Sequence, residues 1–173
     1  MWNREKIQER EFGIMVTIQK KNKYRVGILS DTHGLLRNCI YKAFAKVDLI
    51  IHAGDVGGTA VLRELEKLAP VVAVKGNTDG NWAADAIPAF EMVSVGEIMI
   101  YVLHDLMQLD LDAGSAGVDV VVSGHTHQPC IEEKNGVLFL NPGSVGPRRF
   151  DYPISAALLE INDGRLSPKI LTF

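Results

Sequence analysis

The stretch Tyr24-Arg25-Val26-Gly27-Ile28-Leu29-Ser30-Asp31-Thr32-His33-Gly34 decides the fold, because a short apolar run breaks off abruptly into polar, turn-forming and metal-capable residues. It reads as a strand, Tyr24 to Ser30, ending in a loop. A helical pattern follows, with Leu36, Ile40, Ala43, Phe44 and Val47 on one face at i, i+4, i+7, i+8 and i+11. The same unit then repeats. A second strand, Asp48 to Ala53, precedes a helix near Thr59 to Leu68 with Leu62, Leu65 and Leu68 inward, and a third strand, Val71 to Lys75, closes the run. This alternation is that of a parallel sheet.

Beyond about Ala89 the rhythm changes to paired strands. Phe90 to Val95 and Glu97 to Leu103 hinge at Gly96, Pro129 to Glu133 and Val137 to Asn141 hinge at Asn135-Gly136, and Ser155 to Ile161 and Arg165 to Thr172 turn at Asp163-Gly164. Asn-Gly and Asp-Gly are the strongest short hairpin signals. Between them lie a helical stretch expected near Leu106 to Ala116 and an isolated, very apolar strand, Val118 to Ser123. Two packed sheets flanked by helices are expected.

Five clusters of metal-capable residues each follow an apolar run: Asp31-Thr32-His33-Gly34, Gly54-Asp55, Gly76-Asn77-Thr78-Asp79, His104-Asp105 and Gly124-His125-Thr126-His127. Taken singly, each is ordinary turn or capping chemistry. Taken together they sit where α/β sheets bind ligands, beyond the carboxyl ends of the strands. Asp31 and His33, like His125 and His127, are spaced i, i+2, so extended loops can aim both side chains at one point. Of the chain's five histidines, four fall in these clusters, and the fifth, His52, lies three residues before Asp55.

The rest of the chain sets limits. Its 173 residues amount to about one domain. With 47% apolar and 23% charged residues and a mean hydropathy of +0.08, disorder, collagen and coiled coil are excluded. The net charge of -3 has the wrong sign for a non-specific nucleic-acid coat. No apolar run approaches the roughly 18 residues of a membrane span, and no signal peptide is read. Cys39 and Cys130 stand far apart in no CxxC pair, so reduced thiols in a cytoplasmic protein are expected. Residues 1–22, dominated by charged and amide side chains around an apolar patch at Phe12 to Val16, read as a mobile extension or an added edge strand. Residues 23–173 read as a single domain.

The series Asp31-x-His33, Gly54-Asp55, Gly76-Asn77, His104, Gly124-His125-x-His127 and Asn141-Pro142-Gly143-Ser144 resembles the calcineurin-like metallophosphoesterase family, in particular its small YfcE-like phosphodiesterase branch. The resemblance covers about Tyr24 to Phe173. It implies a four-layer α/β/β/α sandwich of two mixed sheets. It also implies a first metal held by Asp31, His33, Asp55 and His127 and a second held by Asp55, Asn77, His104 and His125, with Asp55 bridging.

A donor set of imidazole, carboxylate and amide oxygen, without thiolate, suits Mn, Fe, Co, Ni or Zn. Manganese is the first expectation. Two divalent cations against the two carboxylates Asp31 and Asp55 leave a formal excess of about +2, which invites an anionic phosphate. The expected reaction is in-line attack by a metal-bridging hydroxide on a phosphodiester, with no side chain as covalent nucleophile. Asn77 and Arg148 are expected to touch the substrate, a small-molecule or nucleotide phosphodiester, and Arg149 shares the basic pair. Asp79 is expected either to orient a loop or to serve as a turn carboxylate, and His52 to pack beneath Asp55. Two positions depart from the family pattern. Thr78 stands where strong monoesterases often carry histidine, and Asp105 follows His104 where glycine is usual. The competing expectations are a protein-interaction scaffold of the same fold, like a retromer coat subunit, and a Rossmann-like nucleotide binder, which lacks the Gly-x-Gly-x-x-Gly turn. A homo-oligomer is left open.

Overall fold

A side-chain period of two makes each strand two-faced, and here both faces of the inner strands β4 (Leu49–His52) and β8 (Val120–Val122) find a cover. A computed structural model describes residues 7–9, 14–16, 21–84, 87–149 and 151–173, with the backbone alone for 7–9, 14–16 and 84. Strand β1 (Ile7–Glu9) pairs antiparallel with β2 (Ile14–Val16). The main domain then runs β3 (Lys23–Leu29), α1 (Asn38–Ala43), β4 (Leu49–His52), α2 (Thr59–Glu66), β5 (Val71–Ala73) and α3 (Asn81–Ala84). It continues through β6 (Phe90–Val95), β7 (Ile98–Leu103), β8 (Val120–Val122), β9 (Cys130–Lys134), β10 (Val137–Asn141), β11 (Ser155–Asn162) and β12 (Arg165–Thr172).

Two five-stranded mixed sheets result, ordered β12-β11-β3-β4-β5 and β6-β7-β8-β10-β9. The first holds the parallel strands β3, β4 and β5, and the second holds the parallel strands β7, β8 and β10 between antiparallel edges. The expected pair of stacked sheets is therefore present. Alternation puts Val26, Ile28, Leu49 and Ile51 of one sheet against Ile100, Val102, Val120, Val122 and Leu140 of the other, all buried. Each such side chain is worth about 1.5–3 kcal/mol when buried. The opposite parity, Leu29 and Ile50, meets Ile40 and Phe44 of the α1 region and Val61 and Leu65 of α2.

The helix expected near Leu106 to Ala116 is not formed. Only a 3-10 turn, Leu106–Gln108, appears, followed by a bend at Leu111 and turns over 113–117. Asp112 diverts a backbone donor that a continuous helix would use, accepting from Ser115 N–H at 2.7 Å, while Asp105 caps only the short turn, accepting from Met107 N–H at 3.0 Å. Leu109 and Leu111 of this segment still cover Tyr101, Val121 and Val137 on the outer face of the second sheet. That layer is thus built mostly of turns.

The strand expected at Val118 to Ser123 narrows to β8 and is central, parallel to both β7 and β10. Within the apolar patch of the leader, β2 pairs with β1 rather than joining either large sheet, and it lies beside β6. Among the described residues, no helix is long and apolar enough to cross a membrane.

Candidate metal centre

Parallel strands deliver their following loops to the same end of a sheet, and here the loops after β3, β4, β5, β7 and β8 converge. The backbone there is strained. Seven non-glycine residues among those described have positive φ, and five of them are the candidate ligands Asp31 (55°), His33 (46°), Asp55 (53°), His125 (67°) and His127 (59°). Each costs about 1 kcal/mol or more relative to a relaxed conformation, a cost that surrounding contacts must over-determine. The other two, Asn135 and Asp163, lead the Asn-Gly and Asp-Gly hairpin turns, as expected.

Two donor groups emerge. Asp31, His33 and His127 form one, and Asp31, Asp55 and His104 the other, with the donor atoms of each within 4.8 Å of one another. In the first, His127 Nε2 lies 3.2 Å from Asp31 Oδ1, and His33 Nε2 lies 3.8 Å from both Asp31 Oδ1 and Asp55 Oδ2. In the second, His104 Nε2 lies 3.5 Å from Asp55 Oδ2. Asn77 Oδ1 then joins His104 Nε2 at 3.1 Å to His125 Nδ1 at 3.0 Å. Donors held about 2.0–2.2 Å from one ion are themselves roughly 3–3.5 Å apart, so most of these separations suit a shared cation.

The unmet valences agree. Asp31 Oδ1, His33 Nε2 and His127 Nδ1 are buried without a hydrogen-bond partner among the described residues, although buried polar atoms are rarely left so. At His104 the outward nitrogen is assigned elsewhere: Nδ1–H donates to Ala53 O at 2.7 Å, which turns the Nε2 lone pair toward Asp55 and Asn77. Burial alone would raise the Asp55 carboxyl, but His104 and the Thr78 N–H at 2.8 Å outweigh it and hold Asp55 well below the usual range. Burial pushes His104 down, yet Asp55 and the Ala53 carbonyl raise it overall. Burial depresses His127 and favours its neutral, ligand-ready form. The residues present therefore fit divalent cations.

Close approach of backbone to ligands explains two glycines. A Cβ at Gly76 would strike the Asp55 carboxylate, and one at Gly124 would strike Ser30 Oγ and crowd Asp31. Ser30 Oγ itself donates to Asp31 Oδ2, which also receives His125 N–H at 3.1 Å.

Neighbouring residues resolve as follows. Asp79 is buried and accepts from Val56 N–H (3.0 Å), Gly57 N–H (2.8 Å) and Gly76 N–H (2.9 Å), so it ties the loop after β4 to the loop after β5. His52 is fully buried, and burial pushes it down to about 3. Gly54 N–H donates to its Nδ1 at 3.2 Å, so its proton sits on Nε2 and donates to Thr32 Oγ1 at 2.9 Å, which in turn donates to Val56 O at 2.7 Å. His52 thus packs beneath Asp55 rather than binding metal. Thr78 Oγ1 lies 3.4 Å from His33 Nδ1. Asp105 faces its own turn. Arg148 and Arg149 are exposed and line a shallow recess with His127 and Tyr152. Sequence reasoning quoted Thr32 within a ligand cluster and Asn141 within the family motif but gave neither a role: Thr32 links His52 to the ligand loops, and Asn141 Nδ2 donates to Gly124 O at 2.7 Å.

The profile of the calcineurin-like phosphoesterase superfamily domain matches residues 24–164. The chain belongs to that family of metal-dependent phosphoesterases. It is 35% identical over 158 residues to a probable metallophosphoesterase of Methanothermobacter thermautotrophicus, covering 84% of this chain and 91% of the relative. A phosphodiesterase of Methanocaldococcus jannaschii is 36% identical over 138 residues, covering 69% of this chain and 82% of that one. Among solved structures, a predicted phosphoesterase of Streptococcus pneumoniae superposes with a TM-score of 0.71 at 25% identity, over 88% of this chain and 91% of that one. Vacuolar protein sorting 29 of Cryptosporidium parvum superposes at 0.70 with 21% identity, over 88% and 99%, a likeness of fold alone.

Proposed function

We propose that the protein is a phosphodiesterase working with two divalent transition-metal cations, one held by Asp31, His33, Asp55 and His127 and the other by Asp55, Asn77, His104 and His125. The observation that carries this reading is the buried Asp31 Oδ1, which makes no hydrogen bond among the described residues while His127 Nε2 at 3.2 Å and His33 Nε2 at 3.8 Å both face it. Bound there, the cations would supply Lewis-acid charge to phosphate oxygens and lower the pKa of water from 15.7 toward about 7. Asp31 and Asp55 bring two negative charges, so an anionic ester completes the charge balance.

The chain's own groups do the orienting. Asp79 and His52 hold the loops, the Ala53 carbonyl fixes the His104 ring, and Thr78 N–H holds the second oxygen of Asp55. Arg148, at the rim beside His127, reaches toward a phosphate. Thr78 has no proton to give near neutral pH, which favours diesters or good leaving groups over plain monoesters. The name of the Methanocaldococcus relative supports the diester preference. Manganese is the proposed native metal and the cytoplasm the proposed location.

Elemental analysis of the purified chain, with hydrolysis of diester and monoester substrates in added Mn, tests the reading. About two metals per chain with diester preference is expected. Absence of hydrolysis with any of Mn, Fe, Co, Ni or Zn would favour the scaffold reading instead, to which the vacuolar sorting fold lends its shape. An intact donor set argues against that outcome, since a scaffold has no need to hold unpartnered polar atoms in register.

A further inference from the structure

Beside the proposed second cation site opens a cavity of about 370 Å³, whose lining joins Asn77 and His104 of that site to Phe90 and Tyr101. Its volume falls in the range of about 300–1,000 Å³ typical of small-molecule sites. The two aromatic rings stack on each other with centroids 5.7 Å apart and planes 21° apart. They meet because β6 and β7 pair with Phe90 opposite Leu103 and Met92 opposite Tyr101, which makes the rings diagonal neighbours. Tyr101 is 5% exposed whereas Phe90 is 60% exposed, an unusual exposure for a phenyl ring. The rigid ring beneath therefore props an open ring face.

Polar groups complete the cavity. Lys75 lines it and makes no ion pair among the described residues, while Gln108 and Asp110 contribute an amide and a carboxylate. A flat aromatic surface, hydrogen-bonding groups and a lysine cation in one cavity that adjoins the proposed phosphate-binding centre match the three parts of a nucleotide. Aromatic side chains stack nucleobases regardless of sequence, because every base has a π-face.

We infer that this cavity holds the nucleoside arm of the substrate, so that the phosphodiesters cleaved are nucleoside esters whose base stacks on Phe90. The inference rests on the phosphodiesterase reading of the neighbouring centre. Lys75 then faces the ribose-phosphate junction, and Gln108 and Asp110 meet the base edge.

Two p-nitrophenyl diesters with the same leaving group test it: the thymidine 5′-phosphate ester and the methyl phosphate ester, assayed with the Mn-loaded enzyme. The ratio of kcat/KM for the thymidine ester over the methyl ester is expected to exceed roughly ten, the scale of one stacking contact. Phe90→Ala should collapse that ratio toward one and Phe90→Trp should keep it. Met107→Ala, at a residue 91% exposed and outside the cavity, should also keep it. Binding of thymidine 5′-monophosphate by calorimetry supplies a readout independent of turnover, and Phe90→Ala should weaken it by a similar factor. Hydrolysis of both esters at a ratio near one, with nucleotide binding indifferent to Phe90, would overturn the inference and leave the phosphodiesterase reading standing. Phe90-dependent nucleotide binding without hydrolysis of either ester would support the base site and sink the phosphodiesterase reading.

Discussion

Asp31, His33 and Asp55 stand on two neighbouring loops of one sheet and are buried or nearly so, whereas Asn77 and His125, on the far side of the same centre, are exposed. The inner loops are laced together by main-chain bonds: Asp31 N–H to Gly54 O at 3.0 Å, His33 N–H to Asp55 O at 2.9 Å and Gly34 N–H to Val56 O at 2.8 Å. The outer donors depend instead on ties across the sheets. His104 reaches Ala53 O, and His125 N–H reaches Asp31. The inner set therefore draws three of its four donors from the loops of one sheet and takes only His127 from the second, while the outer set needs both His104 and His125 from that second sheet. Preorganised donors lose less freedom on binding, so the inner cation should bind first and more tightly.

The severest test removes the carboxylate that the two halves share. Asp55→Asn is expected to lower hydrolysis more than about 100-fold, beyond the loss of an outer-sphere partner, and to deplete both metals in elemental analysis. Full activity with metal retained would refute the bridge. Asn77→Ala sharpens the contrast, since it should remove one metal equivalent of two, spare the inner one and lower activity about 10- to 100-fold. Loss of both metals would show that the halves are not separable.

Asp79→Ala addresses the lacing itself. It leaves the N–H groups of Val56, Gly57 and Gly76 without their acceptor, and with the first of these bonds buried and the other two partly so the expected loss is about 2–4 kcal/mol in urea unfolding of the metal-free chain. An unchanged midpoint would mean that the main-chain bonds alone suffice.

The smallest effect concerns His52 beneath the inner half. Its native value, pushed by burial to about 3, lies below the unfolded value near 6.5. The native state thus binds fewer protons there, so this contribution is intact above pH 6.5 and is lost as pH falls toward 3. Between pH 6 and 4.5 the metal-free wild type should lose stability faster than His52→Gln, by up to about 1.4 kcal/mol per pH unit. Parallel pH profiles for the two proteins would show that His52 is not held neutral.

Much of this was legible beforehand because it is local. The βα rhythm, the turns at Asn135-Gly136 and Asp163-Gly164 and the metal-capable clusters each depend on residues near one another in the chain. The segment after His104 misled because its leucines suggest a helix, while Asp105 and Asp112 offer their carboxylates to backbone N–H groups within three residues. The Phe90 and Tyr101 pair was invisible, since only the β6–β7 register brings the two rings together.

Residue type and spacing determined by themselves the strand order in the chain, the family and a pool of donors, because alternation and turn chemistry act over a few residues. The tertiary structure decided which donors share a cage and which lie buried, which way each imidazole is turned, and that an aromatic cavity adjoins the centre. Those outcomes depend on distances between segments as far apart as Asp31 and His125, and such distances are set by two sheets closing on a common core.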